Sequence, residues 1–245
     1  EAIRSGLDCT LMQAIVQNKP QAVSLLTVQY RMCDAIMQFP NREFYDGQLT
    51  SAPEVKYRGI LDWDTAIEWI DTAGMTTIAE TAVHSDGAGP EDNSEHPGYA
   101  EQSSGLSRVN PAEARLTLDT LWNYYNEIGV GRIIDERIDV GIISPYKAQV
   151  ALLRRMLRRD RKWKPLHRLI SVNTVDGFQG QERDVIVISL VRSNNDGDIG
   201  FLRDLRRINV AITRSRMKLI LIGDRATLSR HPFYRRLAEY TDSLY

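Results

Sequence analysis

Three short stretches rich in valine, isoleucine and leucine limit what this chain can fold into: DVGIIS at 139–144, DVIVISLV at 184–191 and MKLILIGD at 217–224. A strand with one solvent-exposed face alternates apolar and polar residues, whereas a continuous apolar run indicates burial on both faces. Amphipathic helical patterns separate these stretches, and strands that alternate with helices form right-handed crossovers. The sequence therefore predicts an α/β fold with a doubly wound, mostly parallel sheet flanked by helices.

Other segments fit the same plan. Apolar residues at helical spacing predict a helix that Asn110 caps and that runs to residue 129, with Pro111 in its first turn. The stretch 32–49 is predicted to begin as a helix that ends at Pro40 and to continue as an aromatic segment that turns at Asp46-Gly47. The remaining expected helices lie at 9–17 and 146–160, and the remaining expected strands at 22–28, 67–71 and 169–172.

Composition excludes several classes of protein. The 245 residues carry a net charge of −1, so the chain lacks the basic character of many simple nucleic-acid binders. Cys9 and Cys33 are its only cysteines, which argues against a disulfide framework. No metal site is expected from the four scattered histidines. The sequence shows no apolar run of membrane-spanning length and no signal-peptide pattern, so no membrane partner is expected. A cytoplasmic, intracellular location is expected.

One region departs from the regular pattern. Between Glu80 and Glu101 the chain holds several acidic residues and no lysine or arginine, with glycine, proline and serine in the gaps. We interpret about 80–107 as a flexible acidic surface loop or a disordered insertion. The alternative interpretation is an acidic interaction arm. The chain also begins at Glu1 within a helical pattern, which suggests a piece of something longer.

Polar stretches flank the predicted strands. They are VQYRM at 28–32, ISPYKAQ at 143–149, NTVDGFQGQE at 173–182 and RRINVAITRSR at 206–216. Taken one at a time, each has a purely structural explanation: an ion pair, a helix cap, a tight turn or a solvated helix face. Ligands of open α/β sheets bind beyond the carboxyl ends of the strands, so their joint occurrence near strand ends favours a ligand site.

These stretches, in this order, resemble the late motifs of superfamily 1 helicases, and most closely the group that includes the nonsense-mediated-decay RNA helicase and its DNA-helicase relatives. QFPNREFYDGQL at 38–49, NPAEA at 110–114 and IGFLRDLRRINVA at 199–211 fit the same group. The resemblance covers most of residues 8–224. It implies a RecA-like domain with the P-loop NTPase fold, the second of two motor domains. Residues 29–245 would form this domain, after a remnant of the first at 1–28.

The resemblance also implies an ATP site in the cleft between the two domains. Arg31 matches the arginine that reaches the γ-phosphate, and Arg214 matches the arginine finger of the last motif. Glu182 matches a carboxylate that contacts the nucleotide, typically its ribose hydroxyl. Gln179 and Gly180 belong to the same nucleotide-binding motif, where glycine lets the backbone approach. Guanidinium groups suit this role because phosphoryl transfer develops negative charge.

Single-stranded nucleic acid is the second implied ligand. The matching positions are Ser144, Pro145, Tyr146, Asn173, Thr174 and Val175. Hydroxyl groups and backbone amides suit phosphate contacts that do not read the base sequence. Residues 173–182 would then contact nucleic acid at one end and nucleotide at the other.

Half of the expected chemistry is absent from the sequence. No glycine is followed by lysine, so no G-x-x-x-x-G-K-[ST] phosphate loop occurs, and ATP with Mg²⁺ would be held mainly by the upstream RecA-like domain. RIIDE at 132–136 imitates a magnesium-binding strand, but its apolar run is too short. LLRRMLRRDRKWK at 152–164 has the pattern of a solvated helix face, with weak help to nucleic-acid binding as the alternative.

The sequence thus predicts the C-terminal motor domain of an ATP-dependent helicase or translocase that moves 5′ to 3′ on single-stranded DNA or RNA. This fragment alone is expected to be inactive. Two alternatives stay open: a non-catalytic helicase-like scaffold that binds other proteins, and a motor that drives an attached nuclease.

Overall fold

The computed structural model describes residues 11–75, 80–84 and 106–245. Cys9, the start of the predicted 9–17 helix and residues 85–105 of the acidic region lie outside them. The strands are β1 Val28–Gln29, β2 Thr50–Ser51, β3 Ile67–Asp71, β4 Thr81–His84, β5 Leu106–Val109, β6 Val140–Ile143, β7 Ile170–Asn173, β8 Arg183–Ser189 and β9 Ser215–Gly223.

The helices separate these strands. They are α1 Leu11–Asn18, α2 Asp34–Phe44, α3 Pro53–Lys56, α4 Pro111–Ile128, α5 Val130–Asp135, α6 Lys147–Arg159, α7 Leu205–Ile212, α8 Arg225–Leu228 and α9 Pro232–Asp242. Asn110 caps α4, since its side chain accepts a hydrogen bond from the backbone N–H of Glu113, and Gly129 ends that helix. Both ends of this helix are therefore as predicted.

Five strands form one sheet in the order β3-β9-β8-β6-β7, and every neighbouring pair is parallel. The prediction of a parallel α/β sheet is confirmed. The two residues of β1 pair with β2 in parallel, and β4 pairs with β5 in antiparallel orientation.

Successive residues of the central strands enter two different cores. Ile186 and Ile188 of β8 pack on the side of α2, α7 and α9, whereas Val185 and Val187 pack on the side of α4 and α6. Burial on both faces explains why β8 is a continuous apolar run. The amphipathic α6 buries Val150, Leu153 and Leu157, as expected.

Two predicted elements were wrong. The expected strand over 22–28 is reduced to Val28–Gln29, after a 3-10 turn at Pro20–Ala22. The helix expected to stop at Pro40 continues to Phe44. Proline removes one backbone donor from a helix interior. Here Pro40 is itself buried with Ile36, Met37 and Phe39, and this apolar packing offsets the missing bond.

The segment between β7 and β8 crosses one face of the sheet. It leaves the carboxyl end of β7 at Asn173, forms a 3-10 turn at Asp176–Phe178 and reaches the amino end of β8 at Arg183. Phe178 is buried over Gly141 of β6, where a Cβ atom would lie 2.8 Å from the Phe178 ring. This crossing segment therefore connects the two sides of the sheet at which the parallel strands end and begin. We call the side with the carboxyl ends of the strands the carboxyl edge and the side with their amino ends the amino edge.

RIIDE does not form a strand. Most of it lies in the short helix α5, with Ile133 buried and Ile134 exposed. This geometry agrees with the interpretation that it is no magnesium-binding strand.

Candidate functional site

The arginines and the glutamate assigned to nucleotide binding lie together at the amino ends of β8 and β9. Glu182 immediately precedes β8, Arg214 immediately precedes β9, and Arg183 of β8 pairs with Ser215 of β9. Ligands of open α/β sheets usually bind beyond the carboxyl ends of the strands, whereas this group lies at the amino ends. The chain reaches β8 only after crossing the sheet, so Glu182 is carried to the other edge.

Gln29 holds the segment around Arg31 in place. Its Oε1 accepts hydrogen bonds from the backbone N–H groups of Arg31 and Met32, each at 2.8 Å. Its Nε2 donates to Met32 O at 2.7 Å and to Ser51 Oγ at 2.9 Å. The backbone N–H of Cys33 donates to the carbonyl of Arg216, which ties the segment to β9. Gln29 was not singled out from the sequence.

Arg31 and Glu182 form a direct ion pair. Arg31 Nε donates to Glu182 Oε2 at 2.6 Å, and Arg31 Nη1 donates to the carbonyl of Thr213 at 3.0 Å. The side chains of Arg31 and Glu182 are 35% and 38% exposed, so both are accessible from solvent. The sequence could not predict this contact, because the two residues are 151 positions apart.

A second arginine holds the other oxygen of the same carboxylate. Arg216 Nε donates to Glu182 Oε1 at 3.0 Å, and its Nη1 donates to Asp184 Oδ1 at 3.0 Å. Burial alone would raise the pKa of Glu182, but the hydrogen bonds from Arg31 and Arg216 outweigh it and leave the pKa below its usual value. Glu182 is therefore a carboxylate at neutral pH.

The strand geometry places Arg216 beside this carboxylate. The register between β8 and β9 shifts between Arg183 and Val185, so that Arg216 and Met217 together face Asp184. Such bulges redirect side chains and are frequent next to functional sites. Neither the bulge nor the role of Arg216 was predicted, since no local pattern marks a bulge inside an apolar strand.

Arg214 carries a charge without a carboxylate partner among the described residues. Its guanidinium donates to two backbone carbonyls, Val210 O at 3.0 Å and Gln181 O at 3.1 Å. Burial lowers the pKa of Arg214, and the positive charge of Arg31 lowers it further. The two arginines therefore act on each other electrostatically and leave positive charge beside Glu182.

Gly180 has a φ of +79°, and a Cβ atom there would meet nothing within 4 Å. The backbone conformation, more than space, explains the glycine. Gln179 is exposed next to it. Gln181 supports the turn, since its Nε2 donates to Gly177 O and its Oε1 accepts from Arg183.

The residues assigned to nucleic acid lie at the opposite, carboxyl edge of the sheet. Ser144 follows β6, and its backbone N–H donates to the carbonyl of Asn173 at the end of β7, so the two segments are adjacent. The side chains of Ser144 and Tyr146 are buried, however, and Pro145 is half-buried. Tyr146 packs against Phe201, with the ring centroids 5.6 Å apart.

Asn173 and Thr174 shape their own loop. Asn173 Oδ1 accepts from the N–H of Thr174, and Thr174 Oγ1 accepts from the N–H of Gly177. Both residues are half-buried, whereas the Val175 side chain is buried in the core. A contact to nucleic acid at Ser144, Tyr146 or Val175 would have to use the backbone.

A strained turn lies at the same carboxyl edge. Val191 has a φ of +71°, and the N–H of Arg192 donates to Leu190 O across it. This is the rare γ-turn, unfavourable for a β-branched residue. The buried Glu113 accepts from the N–H of Val191 at 2.8 Å and from Ser189 Oγ at 2.6 Å. Burial, opposed only in part by these bonds, raises the pKa of Glu113 to about 7.

The described residues do not fit a magnesium site of their own. They contain no group of three or more His, Cys, Asp or Glu that could hold a metal ion. At the amino edge the carboxylates of Glu182 and Asp184 are already bonded to Arg216. Within the same described ranges, no helix is both long and apolar enough to span a membrane.

Comparison with known proteins identifies the family. A family model described as an AAA domain matches residues 7–226. The chain belongs to this family. Together with relatives that are named as helicases, the match confirms the resemblance to superfamily 1 helicases and the RecA-like fold.

Several curated relatives are similar along nearly the whole chain. An uncharacterized ATP-dependent helicase of Methanocaldococcus jannaschii is 36% identical over 238 residues, which are 96% of this chain and 32% of that protein. The DNA-binding protein SMUBP-2 of Mesocricetus auratus is 34% identical over 98% of this chain and 22% of its own length. The DNA polymerase alpha-associated DNA helicase A of Saccharomyces cerevisiae is 34% identical, over 92% and 31% respectively. The chain thus spans between about a fifth and a third of these relatives.

Proposed function

We propose that this chain is the C-terminal motor domain of an ATP-dependent helicase or translocase that acts on single-stranded nucleic acid and moves 5′ to 3′. In this proposal the amino edge of β8 and β9 meets ATP, and residues 1–28 belong to the end of an upstream RecA-like domain. The names of the relatives support helicase activity, and the charges at the amino edge support the location of the ATP site there.

One observation carries the proposal: Arg31 pairs with the carboxylate of Glu182, and Arg214 lies beside this pair on the carbonyl of Gln181 and donates only to carbonyl groups within the described part of the chain. An arginine whose charge is not neutralised is ready to bind an anion. A triphosphate would bring negative charge to this surface, and hydrolysis would add charge on the transferred group that two guanidinium groups stabilise.

The roles of single residues are those that the resemblance implies, and the grouping of these residues at the amino edge supports them. We assign Arg31 to the γ-phosphate, Arg214 to the transition state, and Glu182 with Gln179 and Gly180 to the nucleotide. The chain lacks the lysine and glycine loop that cradles phosphates, so we expect no hydrolysis by this domain alone. Mg²⁺ would be held on the upstream domain, and no step here is assigned to it.

The carboxyl edge is the proposed contact to nucleic acid. Because the side chains of Ser144, Tyr146 and Val175 are buried and the N–H of Ser144 already donates to the carbonyl of Asn173, we assign that contact to the backbone of these loops together with the half-buried Pro145, Asn173 and Thr174. Such contacts bind phosphates without reading sequence. The crossing segment 173–182 would transmit movement between the two edges. ATP and nucleic acid are both found inside cells, where we propose that the protein acts.

The test is ATP hydrolysis by the full-length protein with and without single-stranded DNA or RNA. We expect either strand to stimulate turnover, and DNA is the first choice because two relatives are named for DNA. Absence of hydrolysis, together with an upstream region lacking a phosphate loop, would instead favour the scaffold alternative.

A further inference from the structure

We propose that Arg216 is a positioning residue that keeps Glu182 neutralised while Arg31 transfers from Glu182 to a nucleotide phosphate. The inference rests on the proposed function and adds a residue and an order of events to it. In this view Glu182 retains Arg31 before ATP binds, and Arg216 lowers the free energy needed to release Arg31.

The starting arrangement is a carboxylate shared by two arginines. Arg31 occupies Oε2 at 2.6 Å, and Arg216 occupies Oε1 at 3.0 Å. Arg31 cannot keep this pair and also place the same Nε on a phosphate. Bidentate contact with the γ-phosphate through Nε and Nη2, the geometry in which guanidinium binds phosphate most strongly, therefore requires that the Arg31–Glu182 pair opens after ATP has bound.

The two arginines differ in how firmly they are held. Arg31 lies between the two-residue strand β1 and helix α2, and its other side-chain bond is to the carbonyl of Thr213. Arg216 lies within the nine-residue strand β9, donates to Asp184 at 3.0 Å and has Asp139 at 3.9 Å. The backbone of both residues is fixed, but the side chain of Arg31 has one carboxylate partner and that of Arg216 has three, so Arg31 is the side chain that leaves and Arg216 the one that stays.

The energetic argument follows from partial burial. Glu182 is 38% exposed, so an unpaired charge there would lose part of its hydration. With Arg216 in place, one ion pair remains after Arg31 leaves. Without Arg216, Glu182 would depend on Arg31 alone, and a phosphate would have to compete against an otherwise unpaired carboxylate. The nearby Arg183 does not replace Arg216, since its Nη1 donates to the carbonyl of Glu182.

The test uses the full-length protein and the variants Arg216→Gln, Glu182→Gln and the double variant. We expect Arg216→Gln to lower kcat about tenfold, a size that couplings between contacting charged residues reach. We expect Glu182→Gln mainly to raise KM for ATP, because Glu182 is assigned to nucleotide contact. Since the neutral amide introduced by Glu182→Gln no longer retains Arg31, the double variant should regain most of the kcat that Arg216→Gln loses.

Because Glu182→Gln also removes the unpaired charge that Arg216→Gln leaves in the fold, the free energy of unfolding is measured for all three variants. Recovery of kcat in the double variant without a matching recovery of stability separates this inference from a purely structural role. Arg216→Lys, which keeps the charge, should show a smaller loss of kcat and covers the case in which Arg216→Gln does not fold. Wild-type kcat in both Arg216 variants, or a double variant no faster than Arg216→Gln, would overturn the inference. Failure of the proposed function would look different: Arg31→Ala would then hydrolyse ATP at the wild-type rate.

Discussion

The two edges of the central sheet both carry charged and polar residues, but they use them differently. At the amino edge, the side chains of Arg31 and Glu182 are 35% and 38% exposed. Arg31 donates to Glu182 and to the carbonyl of Thr213, and Glu182 also accepts from Arg216. At the carboxyl edge, Glu113, Ser144 and Ser189 are fully buried. There, Glu113 bonds the backbone of Val191 and the hydroxyl of Ser189.

The difference separates two uses of polar side chains in this fold, one structural and one suited to ligand binding. Buried polar groups that bond the backbone fix a conformation, here the γ-turn at Val191. Half-exposed charges whose partners can be exchanged are suited to bind a ligand. This difference supports the proposal that the amino edge binds the nucleotide and that the carboxyl edge offers a fixed backbone to a nucleic-acid strand.

The largest expected effect tests the amino edge. Arg214→Ala in the full-length protein should lower ATP turnover about a thousandfold while ATP binding is mostly retained, because an arginine finger acts chiefly in the transition state. The measurement is steady-state hydrolysis with a parallel binding assay. Arg206→Ala is the matched control, since Arg206 lies in the first turn of α7, at the end of the helix away from Arg214, and its side chain is 81% exposed. Wild-type turnover in Arg214→Ala would show that Arg214 does not act in ATP hydrolysis.

The next prediction tests the carboxyl edge through pH. Glu113 has a pKa of about 7 against an ordinary 4.5, so the folded chain holds this proton more tightly than the unfolded chain. The resulting stability is complete below pH 4.5, decreases as the pH rises and is lost by about pH 7. The loss is about 3 kcal/mol at 1.36 kcal/mol per pKa unit.

Urea denaturation across this pH range measures that loss. Glu113→Gln should abolish it, whereas Glu127→Gln on the exposed side of the same helix should leave it intact. Equal pH slopes in wild type and Glu113→Gln would show that Glu113 is not the titrating group.

A smaller effect tests the connection between the edges. In Gly141→Ala, the new Cβ would lie 2.7 Å from Ile186 Cδ1 and 2.8 Å from Phe178 Cε1, beneath the crossing segment. We expect a destabilisation of about 1–3 kcal/mol from overpacking, measured by denaturation. Gly131→Ala in helix α5, where a Cβ meets nothing within 4 Å, should be neutral or stabilising. Equal stability of the two variants would argue against close packing at Gly141.

The sequence predicted the elements better than their arrangement. Strands β6, β8 and β9 and helix α4 were recognisable because double-sided burial, the Asn110 cap and Gly129 leave local patterns. The prediction that α2 ends at Pro40 was wrong because tertiary packing outweighed the local preference of proline to end a helix. The candidate site residues followed from motifs. Their separation onto opposite edges depends on the crossing segment, and the pairing of Arg216 with Glu182 depends on a bulge, both of which arise from long-range contacts.

The most direct test of the central claim is hydrogen–deuterium exchange of the full-length protein with and without a non-hydrolysable ATP analogue. If the amino edge is the nucleotide site, the analogue should protect backbone amides in 28–33, 179–183 and 213–216, the segments that carry Arg31, Glu182 and Arg214. Protection confined to the carboxyl edge, at 143–147 and 190–200, with none in those three segments, would contradict the account.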